Sequence, residues 1–227
     1  MKIVNRIYDY CDINSLSQEI IDSFAECYKE IFNQYWNEKW TKKTAENIIK
    51  KGLVAAKERK SSISLLFNNK RVVGFAWIVL ADAGSISVDD MPYELTETEK
   101  KDGIKTIKYW LNLVSQKKVV IYRELGIYSK FQNLKGEHVA SMITIPLVKM
   151  AYDDGYKALF YWTNPNNVTF KLGLGCCWYP IHYYVNHDRV IMAGEVKKFI
   201  YYLQGALNKD KKILKEMLKN RKNYLQL

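Results

Sequence analysis

The sequence predicts an α/β fold: a mixed, mostly antiparallel sheet with a central parallel βαβ pair flanked by helices, followed by C-terminal helices. Three observations predict it. Apolar runs at residues 62–67 and 71–80 flank Asn68-Asn69, which reads as a hairpin. Two further apolar runs, ending at Ile127 and Thr163, are separated by one helical stretch. Parallel neighbours need such a crossover. Both ends of the chain carry helical rather than alternating apolar spacing.

In chain order, Ser15 with Gln18 forms a capping-box signature, and Ile20, Ile21, Phe24, Tyr28, Ile31 and Phe32 then make a helical apolar stripe. A second helix is predicted from Thr41, with Ala45, Ile48, Ile49, Leu53 and Ala56 on one face. After the hairpin, residues 82–118 form a long interruption. It opens on Asp89, Asp90, Glu94, Glu97 and Glu99 and continues as a helix aligned by Ile104, Ile107, Leu111 and Val114. Connections of this length are usually functional or ordered on their own. A strand over 119–127, a polar loop, an apolar stretch to Gly155 and a strand over 158–163 make the βαβ unit; Pro146 predicts a kink or local break in its helix. A turn or short helix follows from Asn166, with final strands within 176–192. Val196, Phe199, Ile200, Leu203 and Leu207, then Ile213, Leu214, Met217 and Leu218, space out as one or two amphipathic helices. The expected organisation is a domain at 1–195 carrying the 82–118 insertion, with a basic helical extension at 196–227.

Composition narrows the functional classes. The 227 residues suffice for a proper core, and 48% hydrophobic with 26% charged content is ordinary for a soluble globular protein. The longest apolar run, 72–81, falls far short of the roughly 20 residues of a membrane helix. Residues 1–6 turn polar too soon for a signal peptide, so a cytoplasmic location is expected. Cys11, Cys27, Cys176 and Cys177 form no disulfide framework, and Cys177, His182 and His187 lack a zinc spacing, so no metal is expected. The net charge of +11 favours acidic partners. Part of it is local: residues 196–227 hold nine Lys or Arg against Asp210 and Glu216, a local +7. A solvated basic face is the plainer account of that run; nucleic acid stays open without being favoured, as does a homodimer.

The central segment carries the chemistry. A strand ending in a carboxylate (Glu124-Leu-Gly-Ile127) leads to Lys135-Gly136-Glu137-His138-Val139-Ala140 at a helix start, where free N–H groups attract anions. The second strand ends in Asn164-Pro-Asn166-Asn167. This order and these residues resemble the acyl-CoA-binding core of the GCN5-related N-acetyltransferases, the GNAT superfamily, over about residues 1–192. The family's Q/R-x-x-G-x-G/A motif is best matched in the Lys135–Ala140 register, with His138 in place of the central glycine. A second register, Asn133-x-x-Gly136-x-His138, keeps that glycine and loses the small final residue.

The resemblance implies acetyl-CoA as co-substrate. Its pyrophosphate would lie on the backbone of Lys135, Gly136, Glu137, His138, Val139 and Ala140, with Asn166 or Asn167 opposite. It also implies Glu124 as the base that takes a proton from an attacking ammonium, and N–H groups around Ile127 as polarisers of the thioester carbonyl. The plainer role for Glu124 is pairing with a neighbouring Arg or Lys. His138 reads as a polar residue facing water or phosphate. The family's thiolate-protonating tyrosine falls near Thr169, and residues 168–174 contain no tyrosine. Tyr179, Tyr183 and Tyr184, water, or unassisted departure remain as substitutes, and Trp110 and Trp162 as candidates for an acceptor pocket. The implied activity is N-acyl transfer to a small-molecule or peptide amine, without a membrane partner. The insertion is expected over the acceptor end. The competing reading is a non-catalytic module of this fold that binds coenzyme A or nucleic acid; an aminoacyl-transferase variant is a third.

Overall fold

The computed structural model describes residues 3–9, 15–36, 39–132 and 138–225. In chain order the elements are β1 (Ile3–Tyr8), α1 (Gln18–Trp36), α2 (Lys42–Arg59), β2 (Ser61–Asn68), β3 (Arg71–Asp82), α3 (Glu97–Leu113), β4 (Lys118–Ile127), α4 (Ser129–Gln132), α5 (Val139–Asp153), β5 (Ala158–Thr163), α6 (Val168–Gly175), β6 (Tyr179–Tyr184), β7 (Arg189–Glu195), α7 (Val196–Leu207) and α8 (Lys211–Leu225). Seven strands form a sheet in the order β1-β2-β3-β4-β5-β7-β6. The β1–β2, β2–β3, β5–β7 and β6–β7 pairs are antiparallel, and β4–β5 is parallel. The mixed sheet and the parallel pair are those the element order predicts. Two compact units divide the chain: 1–79 with 124–147, and 80–123 with 148–227.

In the first unit, Ser17 rather than Ser15 opens α1: its carbonyl accepts from the Ile20 and Ile21 amides, and its hydroxyl accepts from the Ile20 amide. The predicted stripe buries Phe24, Tyr28 and Ile31 and leaves Ile20, Ile21 and Phe32 partly covered. Thr41 caps α2 through Thr44, as predicted; Ala45, Ile49 and Leu53 are buried, whereas Ile48 is exposed. The β2–β3 hairpin turns through Asn69 at φ 56°, a left-handed position that asparagine tolerates better than most residues. Strand β1 is not among the predicted elements, because Ile3-Val-Asn-Arg-Ile-Tyr8 has no clean alternation; it pairs along β2 nonetheless.

Helix α5 runs through Pro146 without the expected break. Proline has no N–H to give the Met142 carbonyl four residues earlier. Asn5 on β1 supplies a donor instead, with Nδ2 3.4 Å from that carbonyl. The Asn5 Oδ1 accepts from Ser64 Oγ at 2.7 Å. One β1 side chain thus offsets the missing helical bond.

In the second unit, the β4–β5 registers run from Val119/Ala158 to Ile121/Phe160, and β5 pairs β7 over its full length. Strand β7 runs on to Glu195, past the predicted limit at Met192. Thr96 and Glu99 form a reciprocal capping box at the start of α3, which buries Ile107 and Leu111. The insertion is fastened to β6, β7 and their connecting turn. Arg189 Nε pairs with Glu94 at 2.5 Å, His187 with Glu99 at 3.2 Å, and Tyr184 Oη donates to the Glu99 carbonyl at 3.2 Å. Helix α8 buries Ile213 and Met217, while Leu218, assigned to the same stripe from sequence, is exposed.

Replacing Asn5 with alanine is expected to lower the unfolding free energy by about 1 kcal/mol. The same change in a Pro146→Ala background should cost less, because an alanine at that position brings the missing amide. Urea denaturation of the four proteins in a double-mutant cycle measures that coupling.

Candidate active site

In the first unit the site begins with the end of β4. Glu124 and Leu125 are half-buried there, and Gly126 and Ile127 are buried. A Cβ on Gly126 would lie 2.6 Å from Phe75 Cζ and 3.2 Å from Ile31 Cδ1. Glycine therefore lets β4 close over the Phe75 ring. That ring stacks on Tyr28 (centroids 5.6 Å, interplanar 15°) and packs against Phe24 at 4.9 Å. Tyr28 is 3% exposed, with Phe32 and Trp40 at 4.4 and 5.4 Å. Held by these rings, its hydroxyl donates to Glu124 Oε1 at 2.9 Å.

Nothing in the sequence announces that contact. Tyr28 belongs to the predicted apolar stripe, yet a buried tyrosine hydroxyl must find an acceptor. At Oε1 the Glu124 carboxylate thus accepts from a neutral donor. Nearby, Arg71 pairs with Glu30 at 3.1 Å and reaches the Tyr128 hydroxyl at 3.3 Å.

Around Ile127 the backbone is partly committed. The Tyr128 amide donates to the Val73 carbonyl at 3.1 Å, and Gln132 Nε2 donates to the Ile127 carbonyl at 3.0 Å. These bonds fix the strand end by engaging the Tyr128 N–H and the Ile127 carbonyl. Lys135, Gly136 and Glu137 lie outside the described residues. His138 is exposed and stands just before α5, its carbonyl accepting from the Met142 amide at 3.1 Å. Val139 and Ala140 form the first turn, with Val139 buried and Ala140 half-buried.

In the second unit, the predicted Asn cluster builds a turn. Asn164 Oδ1 accepts from the Asn166 amide at 2.7 Å, and Asn167 caps α6 by accepting from the Thr169 amide at 3.1 Å. The side-chain oxygens of Asn164 and Asn167 are thereby engaged, and the side-chain nitrogens of Asn164, Asn166 and Asn167 are the donors the turn has for an anion. Thr169 Oγ1 lies 2.5 Å from Thr163 Oγ1, and its carbonyl accepts from Tyr161 at 2.8 Å.

None of the substitute tyrosines is set up as a strong acid. Tyr184 is buried and donates to Glu99, while Tyr183 shares its proton with Tyr224 at 3.2 Å. Burial raises the pKa of Tyr179, Tyr183 and Tyr184, which weakens each as a proton donor. Burial also raises the thiols of Cys27 and Cys176 far above their ordinary value, so neither is a thiolate nucleophile near neutral pH. Trp110 on α3 and Trp162 on β5 are half-buried. Among the described residues no three His, Cys, Asp or Glu converge to hold a metal, and no helix is long and apolar enough to cross a membrane.

No family model matches the chain, and no curated protein matches it in sequence. Solved structures do match its fold. FeeM, an N-acyl amino acid synthase from uncultured soil microbes, is 14% identical with a TM-score of 0.58, over 87% of this chain and 92% of that one. A Desulfovibrio desulfuricans protein assigned to the GNAT family of acetyltransferases is 10% identical with a TM-score of 0.52, over 86% and 99%. Arabidopsis thaliana NAA60 in complex with acetyl-CoA is 11% identical with a TM-score of 0.50, over 86% and 99%. At such identities the likeness is one of fold, and it is the fold that the motif resemblance implied.

The packing under β4 sets one expectation and the surroundings of His182 another. Gly126→Ala should cost about 1–3 kcal/mol in chemical denaturation, because the new methyl group meets a ring fixed by its neighbours. Burial holds the His182 imidazole below its ordinary pKa of 6.5, with Asp102 pulling the other way. The unfolded chain then takes up a proton at higher pH than the folded one, so this contribution is present above about pH 6.5 and is lost as pH falls below it. The difference in melting temperature between the wild type and His182→Gln should therefore narrow, or reverse in favour of the variant, between about pH 7.5 and about pH 5.

Proposed function

We propose that the chain is a GNAT-family N-acyltransferase, moving an acyl group, with acetyl the first choice, from a coenzyme A thioester to the amine of a small molecule or peptide. The observation that carries this reading is the Tyr28–Glu124 hydrogen bond in a protein of this fold. That bond holds the carboxylate at the strand end in one orientation, as a proton acceptor requires. The supporting likenesses are FeeM, an N-acyl amino acid synthase, and a GNAT-family acetyltransferase; an acetyl-CoA complex of the same fold suggests the co-substrate.

In this reading the acceptor arrives as an ammonium, since a free amine has a pKa near about 10. Glu124 takes one of its protons, directly or through a water, and the freed nitrogen attacks the thioester carbonyl. The Ile127 N–H offers a hydrogen bond to the developing oxyanion. The C–N bond forms as the C–S bond breaks, and the second proton shed by the nitrogen passes through solvent to the departing thiolate, since Thr169 stands where the family has its tyrosine. The first-turn amides of α5, from Val139, hold the pyrophosphate, with Ala140 small enough to let it approach. The acidic start of the insertion has the charge that suits a cationic amine.

The non-catalytic alternative draws on that missing tyrosine, and one experiment separates the two. With acetyl-CoA and a panel of primary amines, Glu124→Gln should lower the rate of thiol release by about 10²–10⁴ near neutral pH. The deficit should shrink toward about pH 10, where amines deprotonate unaided. Tyr28→Phe should lose about tenfold, the worth of one hydrogen bond to a charged group. Equal rates for wild type and Glu124→Gln, or no amine-dependent release at all, would rule out this mechanism.

A further inference from the structure

We propose that the outer face of α8 is a docking surface for the sugar-phosphate backbone of a nucleic acid. Five lysines of this helix are exposed: Lys211, Lys212, Lys215, Lys219 and Lys222. At about 100° per residue they fall within an arc of about 100°, along a stripe roughly 16 Å long. Among the described residues none of the five takes part in an ion pair. The single carboxylate of the helix, Glu216, is turned aside: its Oε1 accepts from the Tyr202 hydroxyl at 2.6 Å.

The opposite face is fully used, so the lysines are held as an array. Ile213 and Met217 are buried, Asn220 Nδ2 donates to the Gly175 carbonyl at 3.0 Å, and Tyr224 meets Tyr183. Helix α8 packs through this face on α6 and α7. A Cβ on Gly205 in α7 would lie 2.4 Å from Ile213, so close approach to α7 helps fix the rotation that turns the lysines outward.

Charge complementarity selects an anionic partner, and the kind of cation narrows it. An acidic protein surface is best met by arginine forks with apolar anchors at the centre. Here every exposed cation is a lysine, a point charge without directional demand, and the one large apolar side chain on the face is Leu218. A regular row of phosphates asks for no more than that. Successive lysines at spacings of three or four residues stand about 4.5–6 Å apart along the axis, and their flexible stems can reach neighbouring phosphates. Asn223 at the edge of the stripe is the one amide side chain beside five point charges, so the contact is made chiefly to phosphates and is largely independent of sequence.

The test is fluorescence anisotropy of the full chain with a fluorescein-labelled mixed-sequence DNA duplex of about 20 base pairs, and with poly-glutamate as competitor. Five phosphate contacts predict a slope of log K against log salt of about −4.5, or roughly a 500-fold loss between about 50 and 200 mM salt. The Lys215→Gln/Lys219→Gln variant should flatten the slope by about 1.8 while keeping its melting temperature and its thiol-release rate. These positions are solvent-facing, so the outcome is independent of the acyltransferase reading. No duplex binding, an unchanged slope in the variant, or displacement of the duplex by a lower concentration of poly-glutamate than of unlabelled duplex phosphate would overturn the proposal.

Discussion

A carboxylate at the end of a largely buried strand is tolerable only if donors meet it, and in the first unit that requirement ties several elements together. Tyr28 Oη supplies one donor to Glu124. It can do so only while its ring lies on Phe75, which in turn needs the bare backbone of Gly126 beneath β4. A Cβ on Gly74 would stand 3.2 Å from the Gly126 carbonyl, so β3 approaches the same point closely. The register of α1, the choice of glycine on two strands and the orientation of one acidic side chain are a single packing problem. A change in any of them is felt at Glu124.

The second unit solves a different problem, that of anchoring long additions to a small sheet. The insertion is held by charge-assisted contacts from Glu94 and Glu99 to Arg189 and His187, and by Tyr184 reaching the α3 backbone past Gly103. A Cβ at Gly103 would fall 1.8 Å from that hydroxyl. The C-terminal helices are held through buried polar atoms as well as apolar ones, with Tyr202 joining Glu216 and Asn220. Of the insertion's acidic start, Glu94 and Glu99 are thus structural, and Asp90 is buried and accepts from the Ser87 amide, which leaves the exposed Asp89 and Glu97 better suited to meeting a ligand.

Periodicity makes most of the architecture legible. The parallel pair around Val119 and Ala158, the hairpin at Asn69, and helices with repeating apolar spacing are readable because burial imposes a period that the sequence records. Elements without a period are not: β1 owes its place to pairing with β2, and its residues show neither alternation nor helical spacing. Local rules also misplace details. Ser17 rather than Ser15 caps α1, and Pro146 is accommodated because Asn5, far away in sequence, reaches the orphaned Met142 carbonyl. The same limit applies to the site. Glu124 stands out as an acid at a strand end, whereas its partner Tyr28 lies 96 residues away inside an apolar stripe.

The acyl-CoA site proposed at the start of α5 can be tested most directly by titration calorimetry of the full chain with acetyl-CoA, beside an Ala140→Val variant. Ala140 is half-buried in the first turn, where a β-branched side chain would crowd the amides taken to hold the pyrophosphate. The account predicts saturable one-to-one binding to the wild type and its loss in a variant that still melts cooperatively. Absence of binding to the wild type, or equal affinity in both proteins, would contradict it.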